Sequence, residues 1–207
     1  HYLTLQNRVE EGLLIQPKSV FGSFAELVMA KGLEHEEACL AAYRQQGANI
    51  LEVEPRAGRS FQQWVADVGN PLAGEYDVIY QMPFIFDGMR GISDFLIKRT
   101  DPDSGAVRYE PVDAKLARNE ARPGHVLQLC FYADAIKDLT GVDPREIHLW
   151  LGSGEIESLR ANDFRPYWHR LRGRLTAAID AGPQAGTAPT PCRHCDFCEL
   201  KNLCDQQ

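Results

Sequence analysis

Apolar residues recur along this chain with two periods, and the switches between them divide it into elements. A helical pattern begins at Ser23-Phe24-Ala25-Glu26, which has the form of a capping box, and runs to about Gly47 with Gly32 as a point of interruption. Residues 49–53 then read as a short strand, 61–68 as a helix, and 77–85 as a strand closed by the turn pair Asp87-Gly88. Residues 91–96 and 110–115 read as facing strands of a continuing meander. Pro123 opens a helix to about Leu139 with Val126, Leu127, Cys130, Ala133 and Ile136 on its packed face. Strands at 146–151 and 156–159 follow, and Asp163 is placed to cap a last helix to about Ala181. This order predicts an α/β fold, a mixed β-sheet flanked by helices.

The 207 residues, 44% of them hydrophobic, suffice for one sizeable core. Residues 1–181 are therefore read as that core. Residues 182–191 are Gly, Pro, Ala and Thr apart from Gln184 and read as a linker to a cysteine-bearing segment, 192–207, that folds back on the core. No apolar run approaches the roughly 20 residues that cross a bilayer, and no signal stretch opens the chain, so a soluble cytoplasmic protein is expected. The chain starts at His1, directly in the helix-like 2–9, and reads as a piece of something longer.

The strands at 91–96 and 110–115 carry the chemistry. The turn formers Thr100-Asp101-Pro102-Asp103-Ser104-Gly105 lie between them, and the midpoint of Asp94 and Asp113 falls between Asp103 and Ser104. A plain hairpin therefore sets Asp94 opposite Asp113. Opposed side chains have Cβ atoms about 5 Å apart, so two ionised carboxylates there repel unless a cation or a proton lies between them. Lys115, two residues past Asp113, faces the same way. Charged hairpin residues are usually only surface, but Asp94 is set among Ile92, Phe95, Leu96 and Ile97, and a charge in an apolar strand needs a partner. Pro111 is a candidate bulge, which would turn Glu110 inward in place of Asp113.

Other residues add to this. His35 and Cys39, one turn apart on an acidic helix, read by themselves as a partly exposed histidine and a small core residue. Gln128 and Tyr132 share a face of the helix after the hairpin, where an amide and a phenol can position a phosphate or a base without bringing charge. Cys192, Cys195, Cys198 and Cys204 form a C-x2-C-x2-C-x5-C cluster that points to metal rather than disulfides. Zinc, with His194 as a competing ligand, and an iron–sulfur cluster both suit it. The formal charge of −7 excludes nucleic-acid binding by overall electrostatics. Local patches must serve instead: Lys98, Arg108, Lys115, Arg118 and Arg122 around the hairpin, or Arg165, Arg170, Arg172 and Arg174 on the last helix.

In this order the motifs resemble the RecB-like nucleases of the PD-(D/E)XK superfamily, in the branch of the CRISPR-associated RecB-like exonucleases and the AddB nuclease. The matching residues are His35, Gly91 to Asp94, Asp113 to Lys115, Gln128 to Tyr132, and Cys195, Cys198 and Cys204. The resemblance implies a restriction-endonuclease-like fold and a DNA nuclease, an exonuclease acting on single strands or ends. It implies that His35, Asp94, Asp113 and the Ala114 carbonyl bind Mg2+ or Mn2+, that Lys115 orients the attacking water, and that Gln128 and Tyr132 position the strand. It also implies a 4Fe-4S cluster, for which this branch takes one cysteine from the N-terminal region; here that ligand lies upstream of His1 or is replaced by Cys192. The resemblance further implies that the module is joined to helicase or second nuclease domains. The rival readings are a catalytically silent nucleic-acid-binding module and a zinc-bearing interaction domain.

Overall fold

The computed structural model describes residues 23–116, 122–182, 190–192, 195, 198 and 200–205, with the side chains of 23–25 and 203 left aside. The expected helix at 2–9, Arg118, His194 and most of the linker lie outside these residues. The elements are α1 (Ser23–Gln45), β1 (Ile50–Glu52), α2 (Phe61–Val68), β2 (Val78–Phe86), β3 (Met89–Thr100), β4 (Val107–Lys115), α3 (Pro123–Thr140), β5 (Glu146–Leu151), β6 (Ile156–Arg160), α4 (Ala161–Asp180) and the single turn α5 (Lys201–Cys204). The chain divides into two compact units, 28–168 and a second made of 1–27 with 169–207.

Local chemistry sets the boundaries. Asp87 and Gly88 both take positive φ, as the tight β2–β3 turn requires. Ser60 caps α2 by accepting the Gln63 N–H, and Gly141 ends α3 in the left-handed conformation with its N–H on the Lys137 carbonyl. α1 runs unbroken through Gly32. α4 starts two residues before the expected cap: Asp163 lies in its first turn, where its carboxylate takes the Arg160 Nε–H at 3.1 Å.

The six strands form one mixed sheet in chain order, with β1–β2 and β4–β5 parallel and the other pairs antiparallel. One apolar cluster joins Ile79, Leu96, Leu149 and Leu151 to α3. The other joins Phe95, Ile97 and Val112 to Cys39 and Leu40 of α1, with the Tyr43 ring edge-on to Trp150. α3 is buried nearly all round, and Tyr132 is 2% exposed.

Pro111 makes no bulge. It pairs with Leu96 in register, and the β4–β5 ladder begins just beyond it at Val112, where its missing N–H is not needed. Glu110 thus stays on the side opposite Asp113, fully buried, and is not the alternative inward group. Its carboxylate takes Arg108 Nε–H at 2.8 Å, the Glu146 N–H at 3.3 Å and His148 Nε2 at 3.1 Å, tying β4 to β5. Burial opposes ionisation of Glu110, but the bonds to His148 and Arg108 outweigh it and hold the carboxyl down at about 2. Glu110→Ala should therefore destabilise the fold by about 3 kcal/mol at pH 7 in urea denaturation, since it strips a buried ion pair of one partner. A lowered folded pKa stabilises above the unfolded value and is lost as pH falls, so the gap between wild type and variant should close between pH 4.5 and about 2.

Candidate metal and nucleic-acid site

The site forms where β3 and β4 part. Their register is the expected hairpin, but the paired ladder ends at Phe95–Val112, one step short of Asp94 and Asp113. On its other edge β3 also loses a rung: pairing with β2 is interrupted between Tyr80–Phe95 and Met82–Ser93. The residue across that gap is Gln81, a non-glycine held at φ 61°. Asp94 is thus at a fork in the sheet, freed from its rungs on both sides, and its Oδ2 takes the Ala114 N–H at 2.8 Å in place of a strand carbonyl.

The Asp94 and Asp113 carboxyls influence each other's ionisation across the fork. Asp113 is 1% exposed, and its Oδ1 takes the Lys115 ammonium at 2.7 Å. Its Oδ2 is buried with no donor among the described residues. Burial first and then the Asp113 charge push Asp94 up to about 7; burial also raises Asp113, against the pull of Lys115. A buried carboxyl, a half-buried one and a lysine leave a net negative site with an orphaned oxygen, a donor set that suits a hard divalent cation or a shared proton.

Above the fork lies a recess of about 640 Å³ whose polar lining includes Glu36, Asp94, Lys115, Arg122 and His125, beside apolar Val28, Met29 and Leu33. Glu36, not its neighbour His35, is the ionisable α1 residue in that lining. The His35 Nε2 sits 3.0 Å from the Trp150 carbonyl, and Cys39 Sγ is 3.8 Å away. The Glu36 carboxylate is held by the Gln81 amide and the Tyr80 hydroxyl. Burial and then the Asp94 charge raise its pKa. The sequence does carry a signal for Glu36: it shares the helical face of Cys39, Leu40 and Tyr43 at i+3, i+4 and i+7. His125 is a second lining residue that the motifs do not single out, although it precedes Gln128 by three and Tyr132 by seven positions. Burial, then Lys115, lowers its pKa. Its Nδ1 accepts the Arg122 N–H at 3.4 Å, which leaves Nε2–H as a donor.

Gln128 and Tyr132 meet as their spacing predicts, the amide donating to the phenol at 3.1 Å and the phenol to the Ile92 carbonyl at 2.5 Å. This arrangement explains Gly91: a Cβ there would lie 3.0 Å from the rings of both Phe131 and Tyr132. Of the basic candidates, Arg108 is taken up by Glu110, and Arg165 by Asp134 and Asp143. Among the described residues of the C-terminal segment, the Cys195 N–H donates to the Cys192 carbonyl and the Cys204 N–H to the Leu200 carbonyl, and Cys192 Sγ lies 3.9 Å from Cys195 Sγ. All four are free thiols.

A second group of potential ligands, Glu110, Glu146 and His148, has donor atoms within 4.8 Å of one another and could hold a metal. Both Glu110 oxygens already have donors, however, whereas Asp113 Oδ2 has none among the described residues.

The family model described as PD-(D/E)XK nuclease superfamily matches residues 5–205. The chain belongs to this superfamily. Its six-stranded mixed sheet with flanking helices is the restriction-endonuclease-like fold, and the superfamily consists of nucleases. Comparison with curated proteins gave no match. Among the described residues no helix is long and apolar enough to cross a membrane.

A carboxyl whose folded pKa lies above its unfolded one stabilises the fold at low pH and loses that contribution as pH rises. With metal chelated, Asp94→Asn should therefore gain in melting temperature over wild type as pH rises from 3.8 through about 7, with little difference below that range. A gap that does not change with pH would refute the raised pKa.

Proposed function

We propose that this chain is a metal-dependent deoxyribonuclease of the RecB-like branch, an exonuclease acting on single strands or ends. The observation that carries the reading is the orphaned Asp113 Oδ2 beside Asp94 and Lys115. Asp94, Asp113 and the Ala114 carbonyl are assigned to hold Mg2+ or Mn2+, with His35 as the ligand implied by resemblance and Glu36 as the α1 carboxylate facing the same recess. Bound there, the divalent ion supplies a water of lowered pKa and polarises a phosphoryl oxygen.

The remaining steps belong to the side chains. Lys115 holds a positive charge at the point where the phosphate gains negative charge, and its bond to Asp113 fixes that ammonium in place. His125 offers an Nε2–H donor to a phosphate oxygen. Gln128 and Tyr132 brace β3 next to Asp94 and border the path of the strand. Asp113→Ala should abolish Mg2+- or Mn2+-dependent DNA degradation, and Lys115→Ala should reduce it by about 100-fold or more, the effect typical of removing one transition-state charge donor. Circular dichroism should show both variants folded. Full activity in either would remove the site assignment.

The four cysteines are assigned to a structural 4Fe-4S cluster that clamps the C-terminal segment. One observation favours zinc as the second reading: two thiolates on one tetrahedral zinc at about 2.3 Å are about 3.8 Å apart, and Cys192 and Cys195 are 3.9 Å apart. Elemental analysis of anaerobically purified protein decides. Iron with broad visible absorbance supports the cluster, and one colourless zinc per chain replaces it.

A further inference from the structure

A second hollow, about 740 Å³, is lined by Ile92 and by Tyr132, the phenol that bonds to the Ile92 carbonyl two residues before Asp94. Its wall is built from α2, the β2–β3 turn region and α3, and includes Arg56, Phe61, Met89, Arg90 and Gln128. Three features distinguish it. It carries two arginines and no carboxylate, in a chain with 29 acidic residues and a net charge of −7. Neither arginine forms an ion pair with a carboxylate among the described residues, in contrast to Arg59, Arg99, Arg108 and Arg165. And the guanidinium of Arg90 lies over the half-buried Phe61 ring, 5.7 Å from its centroid.

These groups are held in place. Arg59 donates to the Pro55 and Arg56 carbonyls at 2.7 and 2.9 Å and pairs with Asp67, so the loop that displays Arg56 is locked to α2. Phe61 packs edge-on against buried Trp64, ring centroids 5.6 Å apart. The chemistry on offer is a flat cation-backed stacking surface, a second cation, and the Gln128 amide at the edge. Duplex DNA hides its base faces in its own stack, whereas unpaired bases offer theirs to aromatic rings and guanidinium planes, with the phosphates left to the cations. From Ile92 to Asp94 along β3 is about 7 Å at strand spacing.

We propose that Phe61, Arg90 and Arg56 form a single-strand subsite, in which an unpaired base stacks on the Phe61–Arg90 platform and a neighbouring phosphate meets Arg56, feeding the strand past Tyr132 to the carboxylates. This rests on the nuclease reading for its direction and supplies the preference for unpaired DNA. The occupant is a single DNA strand, because the lining combines positive charge with an aromatic face.

The test is binding in EDTA, where cleavage is silent. A fluorescent oligothymidylate is titrated by anisotropy against wild type, Phe61→Leu, Arg90→Gln and Arg56→Ala. Phe61→Leu keeps an apolar side chain against Trp64, and the exposed Arg56→Ala serves as a variant whose folding is not at risk; melting curves check all three. Without base stacking, binding should weaken by about 10-fold in Phe61→Leu and Arg90→Gln. Arg56→Ala should bind more weakly and show a shallower salt dependence, by about 0.7 in log–log slope, because one fewer phosphate is neutralised. Unchanged affinity in all three folded variants overturns the subsite, as does a blunt duplex that binds as tightly as the single strand and is weakened equally. Cleavage is scored separately. If wild type binds through these residues but never cuts with Mg2+ or Mn2+, the subsite stands and the nuclease reading falls; if it cuts and the variants bind alike, the subsite alone falls.

Discussion

The repulsion between two acids brought together at a fork in a sheet governs the rest of this structure. Asp94 and Asp113 come from strands whose pairing with each other ceases one residue before them. Had the ladder continued, both backbones would have been satisfied and the carboxyls held side by side on a flat surface. Because it stops, the Ala114 N–H is available to Asp94, and Asp113 keeps one oxygen without a donor among the described residues. Lys115 neutralises half of the pair. The remainder is a standing demand for positive charge, which proton uptake by Asp94 meets when no cation is present.

The same sheet holds a buried acid of opposite character. Glu110 is as deeply buried as Asp113, yet its carboxyl is held down at about 2 because His148 and Arg108 donate to it. Burial alone therefore does not mark a reactive group. What distinguishes the two sides of β4 is whether the protein's own donors complete the shell. On the Glu110 side they do, which makes a strut. On the Asp113 side they do not, and the incomplete shell lies beneath a recess open to a ligand.

Gln81 connects this electrostatic arrangement to backbone shape. A non-glycine residue at φ 61° is unfavourable by about 1 kcal/mol or more and persists only where its surroundings enforce it. Here it interrupts the β2–β3 ladder opposite Asp94 while its amide holds Glu36. One distorted residue both frees Asp94 and fixes the carboxylate that reaches the recess from α1. On the far side, Gly91 admits the Tyr132 ring close to β3, so the site is bounded by a strained residue on one flank and a residue without a side chain on the other.

Much of this was legible in the chain itself. The turn formers around Asp103 and Ser104 marked the register of the hairpin, Phe95 opposite Val112, and so brought Asp94 and Asp113 to the same level, because strand geometry is local and has period two; that the ladder would stop one step short of them was not legible. Gln128 and Tyr132 met as their spacing required, since a helix turn is equally local. What the sequence could not supply was anything that depends on where two distant segments touch. It did not show that α1 would offer Glu36 to the recess while His35 turned to the Trp150 carbonyl, or that Arg165 would be taken up by Asp134 and Asp143. Nor did it show that α2 would bring Phe61 over to Arg90. Residue type and spacing determined which groups could react; packing between elements far apart in the chain decided which of them kept an unmet charge or an open ring face, and those are what a ligand can use.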